Sequence, residues 1–362
     1  MNTENGDNMS RRGFLKGIGA GAVGAAALPA GAPSAAPAAE TAQPAAPGAV
    51  RLGSVSWNFG SIVAGPPWTS EIDATADLGL EGIEVICAKP EHLDATVAEP
   101  HLSDLLRQLD RCKIAISQFV LFQPLVADLG SPDAEQRKRA LDVFAKACKV
   151  AVKVRAPIIN IVAPWPTVYH KEGWGYLPRY YSAGAKDPQP KFQFDVPRHF
   201  DWAKAWSEFI DTMKQATAAA KAEGLRFSLE NHTHTFVRGA DAFLRLWDEV
   251  RDPALGMNLD VGWLALEREY PVVGVCKAAR HLMNVHVRDM DGIASRFPAP
   301  GTGCMDFPGI VAALRDVGFS GFMTFEQDGV PDMKDALRRG KEILEKYLAM
   351  SRDELDEERR RS

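Results

Sequence analysis

Short apolar runs alternate with longer amphipathic stretches along nearly the whole chain, and this alternation narrows the choice of fold more than any other feature. Eight runs rich in Val, Ile, Leu and Phe follow one another from Arg51 onward, as expected of parallel β-α units. The strands predicted from these runs cover 51–57, 82–86, 114–122, 158–163, 226–231, 256–262, 282–288 and 322–327.

Amphipathic stretches lie between the strands and after the last one. They predict helices over 71–78, 102–112, 134–150, 202–222, 240–250, 272–279, 307–317 and 333–347. Eight strands and eight helices favour a closed (β/α)₈ or TIM barrel. An open doubly wound sheet would be expected to carry a glycine-rich phosphate loop after its first strand, and GSVSWNFG does not match GxGxxG. The prediction is therefore an α/β chain with a single barrel domain.

The last four predicted strands all finish in residues that can bind a metal or move a proton. In a barrel, the carboxyl ends of the strands surround one mouth, so these residues are expected to converge. They are Glu230 in RFSLEN, Asp260 in MNLDVG, His286 in NVHVRD and Glu326 in MTFEQD.

Taken singly, each of the four residues has an ordinary structural explanation, such as a helix cap, a core histidine or a salt bridge. Together, three carboxylates around one mouth would repel one another unless a cation neutralised them. Three carboxylates and one imidazole form a hard ligand set suited to Mn²⁺, Mg²⁺ or Co²⁺. We therefore predict one divalent ion, with Mn²⁺ first and Zn²⁺ as a less favoured alternative.

The first 48 residues differ in composition from the rest. SRRGFLK at 10–16 is a twin-arginine pattern, and a weakly apolar Gly/Ala stretch over 17–30 and an Ala/Pro-rich run follow it. A disordered basic N-terminus is the alternative, but the order of these features favours an export signal. We expect a signal and linker over 1–48, the barrel over 49–350 and a charged tail over 351–362, with the protein periplasmic or secreted through the twin-arginine export machinery.

The motifs at the strand ends resemble the sugar-phosphate isomerase/epimerase family, the xylose-isomerase-like barrels that include ketose 3-epimerases, hydroxypyruvate isomerase and inosose dehydratase. The resemblance covers about 51–347 and rests on LEN at Glu230, LDVG at Asp260, HVRDMDG at His286, GTGCMDF at 301–307 and FEQD at Glu326. It implies that Glu230, Asp260, His286 and Glu326 are the metal ligands. It further implies that Glu230 and Glu326 are the catalytic acid/base pair.

Two departures from this family's pattern bear on the expected reaction and on the expected substrate, respectively. Ketose 3-epimerases commonly carry a histidine three residues after the strand-six aspartate, where this chain has Trp263. No phosphate loop rich in Lys and Arg is visible, and an exported protein would rarely meet a sugar phosphate. A non-phosphorylated sugar or keto-sugar, such as a 3-keto-glycoside, fits the expected location better than a sugar phosphate does.

The expected chemistry is proton abstraction next to a carbonyl. A divalent ion that holds a carbonyl and an adjacent hydroxyl acidifies the C–H between them and stabilises an enediolate. Return of the proton gives a metal-dependent isomerase or epimerase, whereas loss of a β-substituent gives a 3-keto-glycoside lyase or an inosose-type dehydratase. A non-catalytic periplasmic sugar-binding protein is the alternative from another class.

Several further residues are candidates for substrate contact. Arg288 shares a strand face with His286 and either binds a substrate oxygen or forms a salt bridge. His232 lies just beyond the fifth strand and Trp263 just beyond the sixth. Glu84 in GIEVI either reaches the mouth from the second strand or is a buried partner for a lysine or arginine.

A long aromatic insertion follows the fourth predicted strand. Residues 165–206 hold four of the eight tryptophans and four of the six tyrosines. Loops of this length are usually functional lids or disordered segments, and aromatic density disfavours disorder. Trp165, Tyr169, Trp174 and Tyr176 are candidate substrate walls, with packing inside the lid or at a subunit interface as the alternative.

Net charge and cysteine spacing bear on which partners the protein binds and on what its cysteines do. The net charge of −5 and pI near 6.0 argue against a nucleic-acid partner. Five scattered cysteines without CxxC spacing suggest core thiols. The expected partner is a small sugar, and the aromatic insertion and the charged tail, expected to be a frayed solvated helix, are candidate surfaces for a homo-oligomer.

Overall fold

Eight parallel strands close into a barrel in chain order, with the last strand paired to the first. The computed structural model describes residues 49–164, 197–292, 297–327 and 329–361. The strands are β1 Arg51–Val55, β2 Gly82–Cys87, β3 Ala115–Leu121, β4 Ile158–Val162, β5 Arg226–Glu230, β6 Leu255–Asp260, β7 Leu282–Val287 and β8 Phe322–Phe325. This confirms the predicted barrel and its eight strands, seven of which end one or two residues earlier than predicted.

Helices surround the barrel. Those of the described ranges are α1 Thr69–Asp77, α2 Pro90–Val97, α3 His101–Cys112, α4 Gln123–Val126, α5 Ala134–Lys153, α6 Trp202–Ala222, α7 Ala240–Val250, α8 Val261–Leu266, α9 Pro271–Ala278, α10 Phe307–Asp316, α11 Met333–Ala349 and α12 Arg352–Arg361. The eight predicted helices are present. None of the helices in the described ranges combines the length and apolar character needed to cross a bilayer.

Local capping explains where the helices next to the mouth begin. Asp201 accepts a hydrogen bond from the Lys204 amide at the start of α6, and Asp306 accepts one from the Gly309 amide at the start of α10. Asp260 plays the same part for α8, because its carboxylate accepts from the Trp263 amide at 2.9 Å. A short helix therefore starts directly at the end of β6.

The interior of the barrel is unusually polar. Barrels of this type are ordinarily filled by Val, Ile and Leu. Here every strand contributes a buried polar side chain, and these are Ser54, Glu84, Gln118, Asn160, Ser228, Asn258, Asn284 and Thr324. Some of their hydrogen bonds span the interior, such as that from Asn284 Nδ2 on β7 to Glu84 Oε1 on β2, at 2.9 Å.

The charged C-terminal segment forms helix α12, which packs against α10. Leu355, the one apolar residue of this helix, is fully buried, and Arg359 donates to Asp306 Oδ2 at 3.0 Å. The expectation of a frayed, solvated helix is therefore wrong, because a single apolar side chain and cross-element ion pairs dock it.

The cysteines also differ in part from expectation. All five are free, and Cys87 and Cys148 are buried core thiols, as predicted. Cys276 and Cys304 are exposed instead.

Candidate active site

The four predicted ligand residues converge at the carboxyl end of the barrel. Glu230 and Asp260 are the last residues of β5 and β6, His286 lies near the end of β7, and Glu326 directly follows β8. One donor atom from each residue lies within 4.8 Å of the donor atoms of the other three, and all four side chains are buried. The convergence expected from the strand ends is present in the structure.

The imidazole of His286 lies among the three carboxylates. Its Nδ1 is 2.8 Å from Glu326 Oε2, 3.5 Å from Glu230 Oε2 and 3.9 Å from Asp260 Oδ2. These four residues are called the carboxylate cluster below.

Arg288 connects two members of the carboxylate cluster. Its Nε donates to Asp260 Oδ2 at 2.7 Å, and a terminal guanidinium nitrogen lies 2.5 Å from Glu326 Oε2. The guanidinium carbon is 5.0 Å from the ring centre of Trp263 and 4.8 Å from that of Phe297. Of the two roles that the sequence left open for Arg288, the structure has the salt bridge.

Burial and neighbouring charges shift the pKa values of the carboxyl groups in different directions. Burial raises the pKa of Glu230 to about 7 although His286 opposes the shift. Burial also raises the pKa of Asp260, against the pull of Arg288. For Glu326, burial is outweighed by Arg288 and His286, so its pKa lies below the ordinary value. The two glutamates of the cluster thus differ in their readiness to hold a proton.

The imidazole of His286 responds to the same charges. Burial disfavours its protonated form, but the carboxylates of Glu84, Glu230 and Glu326 outweigh burial and hold its pKa well above the ordinary value. The excess negative charge of the cluster is therefore balanced by Arg288 and by bound protons when no cation is present.

The residues of the cluster fit a divalent ion. His286 Nδ1 and Glu326 Oε2 are buried side-chain atoms that make ion-pair contacts but no hydrogen bond of good geometry. Buried atoms of this kind need a compensating interaction, and a cation supplies one. Three carboxylates with one imidazole are also a chemically suitable donor set.

Glu84 lies deeper in the barrel than expected. Its side chain is fully buried, with Oε2 3.0 Å from His286 Nε2 and Oε1 accepting from Asn284. Neither sequence-based interpretation, substrate contact at the mouth or pairing with a lysine or arginine, agrees with this position, because both carboxylate oxygens are bound by neighbouring barrel residues.

The rings of His232 and Trp263 pack against each other next to Arg288. Their ring centres are 3.9 Å apart, and both side chains are buried. Burial lowers the pKa of His232 to about 3, so its imidazole is neutral at ordinary pH. The substrate contacts expected of His232 and Trp263 stay predictions. The candidate substrate walls, Trp165, Tyr169, Trp174 and Tyr176, lie outside the described residues.

Sequence reasoning missed three residues at the site, two of which contact the cluster directly. Trp57 Nε1 donates to Glu326 Oε1 at 3.2 Å, Asn258 Nδ2 donates to Glu230 Oε2 at 3.0 Å, and Asn284 binds Glu84. Side chains alternate between the two faces of a strand, so Asn258 and Asn284, two residues before Asp260 and His286, share their faces. That alternation was the signal available for the two asparagines, whereas Trp57 had none.

Asp289 organises the loop that borders the site after β7. Its carboxylate accepts hydrogen bonds from the amides of Met290, Gly301, Gly303 and Met305, at 2.8 to 3.1 Å. A Cβ at Gly303 would collide with this carboxylate, and Gly301 has a φ of +86°. The GTG of the GTGCMDF motif is thereby explained by backbone geometry.

Two known proteins are similar in sequence to this chain. The chain is 21% identical over 301 residues to the uncharacterized protein MJ1311 of Methanocaldococcus jannaschii. The aligned region covers 80% of this chain and 87% of that protein. It is 23% identical over 162 residues to inosose dehydratase of Clostridium beijerinckii, which covers 39% of this chain and 54% of the dehydratase.

Solved structures of sugar 3-epimerases share the fold. A D-psicose 3-epimerase crystallised in the presence of D-fructose superposes with a TM-score of 0.65 at 16% identity, covering 83% of this chain and all of that chain. An L-ribulose 3-epimerase gives a TM-score of 0.64 at 16% identity over 85% of this chain and 97% of that one. A family model described as xylose isomerase-like TIM barrel matches residues 72–347. This chain therefore belongs to the xylose isomerase-like TIM barrel family.

Proposed function

We propose that the protein is a divalent-metal-dependent isomerase or epimerase that moves a proton at the carbon next to the carbonyl of a non-phosphorylated sugar or keto-sugar. The observation that carries this proposal is the carboxylate cluster, in which three buried carboxylates and His286 bring four donor atoms within 4.8 Å of one another. The fold shared with sugar 3-epimerases supports the reaction class.

Glu230, Asp260, His286 and Glu326 would hold the ion, which we expect to be Mn²⁺. When bound, the ion supplies positive charge that stabilises negative charge developing on the substrate oxygens. Glu230 and His286 would give up their protons when they hold the ion.

Glu326 and Glu230 would be the acid/base pair. Arg288 and His286 favour the carboxylate form of Glu326, which makes it the group ready to accept a proton from carbon. Glu230, the other glutamate of the cluster, would be the group that returns a proton to carbon.

The surrounding side chains would bind the substrate and exclude water. Trp263 and His232 form a buried pair of rings, and Trp57 reaches Glu326 from the opposite end of the chain. Arg288 is engaged with Asp260 and Glu326, so its contribution is to orient these carboxylates and to balance their charge.

Location and substrate are linked in this proposal. The twin-arginine pattern at 10–16 supports export to the periplasm or beyond, with residues 1–48 as signal and linker. A protein in that location would act on free or glycosidic sugars, which supports the non-phosphorylated class.

A lyase or dehydratase that uses the same site is the second candidate. The partial similarity to inosose dehydratase favours it. The first proton abstraction would be shared, and the two functions would diverge only in whether the proton returns to carbon or a β-substituent departs.

The deciding experiment is proton NMR in D₂O with metal-loaded protein and a panel of ketoses and 3-keto-glycosides. Deuterium uptake next to the carbonyl is expected for the wild type and should be lost in Glu326→Gln and after metal removal. Glu267→Gln, a change at a partly buried carboxylate paired with Arg238 away from the cluster, is the matched control and should retain exchange. A released aglycone or water-loss product would identify the lyase, and binding of a sugar without any exchange would contradict an enzymatic role.

A further inference from the structure

We propose that Glu84 is a positioning residue that fixes the ring of His286, with the proton on Nε2 and the lone pair of Nδ1 directed at the three carboxylates. This inference rests on the proposed metal-dependent function, in which Nδ1 is the ring nitrogen that would meet the ion. It assigns to strand β2 a part in a site whose other members come from β5 to β8.

The two ring nitrogens of His286 face different partners. Nε2 lies 3.0 Å from Glu84 Oε2, a contact between residues 202 positions apart in the sequence. Nδ1 lies 2.8 Å from Glu326 Oε2 and 3.5 Å from Glu230 Oε2. Both Glu84 and His286 are fully buried, so water does not compete for either contact. The ring therefore connects Glu84 to the three carboxylates of the cluster.

Glu84 is itself held in place. Its Oε1 accepts from Asn284 Nδ2 at 2.9 Å, and the same amide lies 2.9 Å from Asn258 Oδ1. Asn284 in turn accepts from Thr324 Oγ1 at 3.2 Å. The carboxylate that faces His286 is thus oriented by side chains of β6, β7 and β8.

The chemistry of the two groups selects one tautomer. A carboxylate can only accept hydrogen bonds, so the contact with Glu84 is attractive when Nε2 carries the proton. In a neutral imidazole, the other nitrogen is then left as an acceptor or metal ligand. Histidine ligands of metals ordinarily donate their second N–H to such a partner, which also makes the ligand nitrogen more basic.

Two contacts favour the opposite tautomer in the metal-free protein. Glu326 Oε2, 2.8 Å from Nδ1, can only accept, so it attracts a proton to Nδ1 unless a bound ion takes the place of that proton. Asn258 Nδ2 lies 3.1 Å from His286 Nε2 and can only donate, which would put the ring proton on Nδ1. The same amide has a carboxylate acceptor in Glu230 Oε2 at 3.0 Å. A hydrogen bond to a carboxylate is about twice as strong as one between neutral groups, so the arrangement with both Asn258 and Nε2–H bound to carboxylates prevails when the ion is bound.

The first test reads the ring proton directly in the wild-type chain. Long-range ¹H–¹⁵N correlation spectra of ¹⁵N-histidine protein loaded with Zn²⁺, which is diamagnetic, should place the proton of His286 on Nε2. The His286 signals are identified by their loss in His286→Asn. A proton on Nδ1 in the Zn²⁺-loaded protein would overturn the proposal, and this measurement needs no folded Glu84 variant.

The second test is calorimetric titration of metal-free protein with Mn²⁺. Glu84→Gln keeps the shape of the side chain but can turn an amide N–H toward Nε2, and we expect a loss in affinity of about 10–100-fold. Gln118→Leu, at a buried polar residue of β3 that bonds Ser228 rather than His286, is the matched control and should bind like the wild type.

The two proposals fail in different ways. Equal affinity in the wild type and Glu84→Gln would overturn the role of Glu84 and leave the metal-dependent function intact. An equal loss of affinity in Gln118→Leu would also overturn it, since general loosening of the interior would then explain the result. No binding of Mn²⁺ or Zn²⁺ by the wild type would refute the proposed function and this inference together.

Discussion

The guanidinium of Arg288 binds Asp260 and Glu326 at once, with N–O distances of 2.7 and 2.5 Å in a side chain that is 3% exposed. It is the fixed positive charge of a cluster that otherwise depends on protons or a cation. The arginine thus affects both the stability of the metal-free protein and the affinity for metal.

Replacing Arg288 with methionine should destabilise the metal-free protein. Breaking a buried ion pair from one side leaves uncompensated charge and typically costs about 3–5 kcal/mol. Urea denaturation should show this loss, and saturating Mn²⁺ should restore more stability to Arg288→Met than to the wild type. Arg107→Gln, which removes an exposed salt bridge with Asp104, should change stability by less than about 1 kcal/mol. Equal effects of the two substitutions would contradict the role assigned to Arg288.

Metal affinity should rise with pH. Burial raises the pKa of Glu230 to about 7, so below that pH a proton occupies the carboxyl group that the ion needs. The apparent affinity for Mn²⁺ should therefore increase as pH rises through 7, and binding at pH 6 should release protons. Calorimetry in two buffers of different ionisation enthalpy measures this release. Glu230→Gln should bind more weakly and show a smaller pH dependence between pH 6 and 8, and an unchanged dependence would place the titrating proton elsewhere.

Truncating Asp289 should open the loop beyond β7. Asp289→Ala removes the acceptor for four backbone amides, and those of the exposed residues Gly301 and Gly303 would then bond to water instead. Hydrogen exchange at Gly301, Gly303 and Met305 should accelerate, because their amides lose the carboxylate that protects them. Asp252→Ala, which frees the single amide of Ala254, is the control and should leave exchange in this loop unchanged.

The C-terminal helix should detach when its buried leucine is shortened. Leu355→Ala removes the apolar contact that docks α12, and large-to-small changes at buried leucines cost about 2–5 kcal/mol. Amide exchange across α12 should rise strongly while exchange in the barrel strands stays slow. Glu357→Ala, at an exposed position of the same helix, should have little effect. Unchanged exchange in Leu355→Ala would mean that Arg359 and its partners alone hold the helix.

Strands and long helices were predictable from local patterns. Helices α6 and α7 begin and end where the amphipathic pattern predicts, because caps and glycines mark their ends, as Gly224 with a φ of +74° does beyond α6. The convergence of Glu230, Asp260, His286 and Glu326 followed from the same reasoning, since strand order alone brings their ends together. Short helices such as α8 were missed because six residues contain less than two turns of periodicity.

Contacts between distant residues were beyond local reasoning. Glu84 and His286 are separated by 202 residues, and Trp57 and Glu326 by 269. The sequence around Glu84 does not show whether its carboxylate faces the mouth of the barrel or lies deeper and supports a histidine. The depth of a side chain in the barrel depends on strand tilt and register, which the apolar pattern does not encode.

The polar interior places a limit on how this protein can diverge. In an apolar core, Val, Ile and Leu can replace one another at a small cost in stability. The residues beneath an active site can then change one at a time. Here the residues beneath the active site are joined by directional hydrogen bonds, and a change at Asn284 disturbs Glu84, Asn258 and Thr324 together. We therefore expect new substrate specificities to arise by changes in the loops at the rim of the barrel. The hydrogen-bonded residues of the interior should change together or not at all.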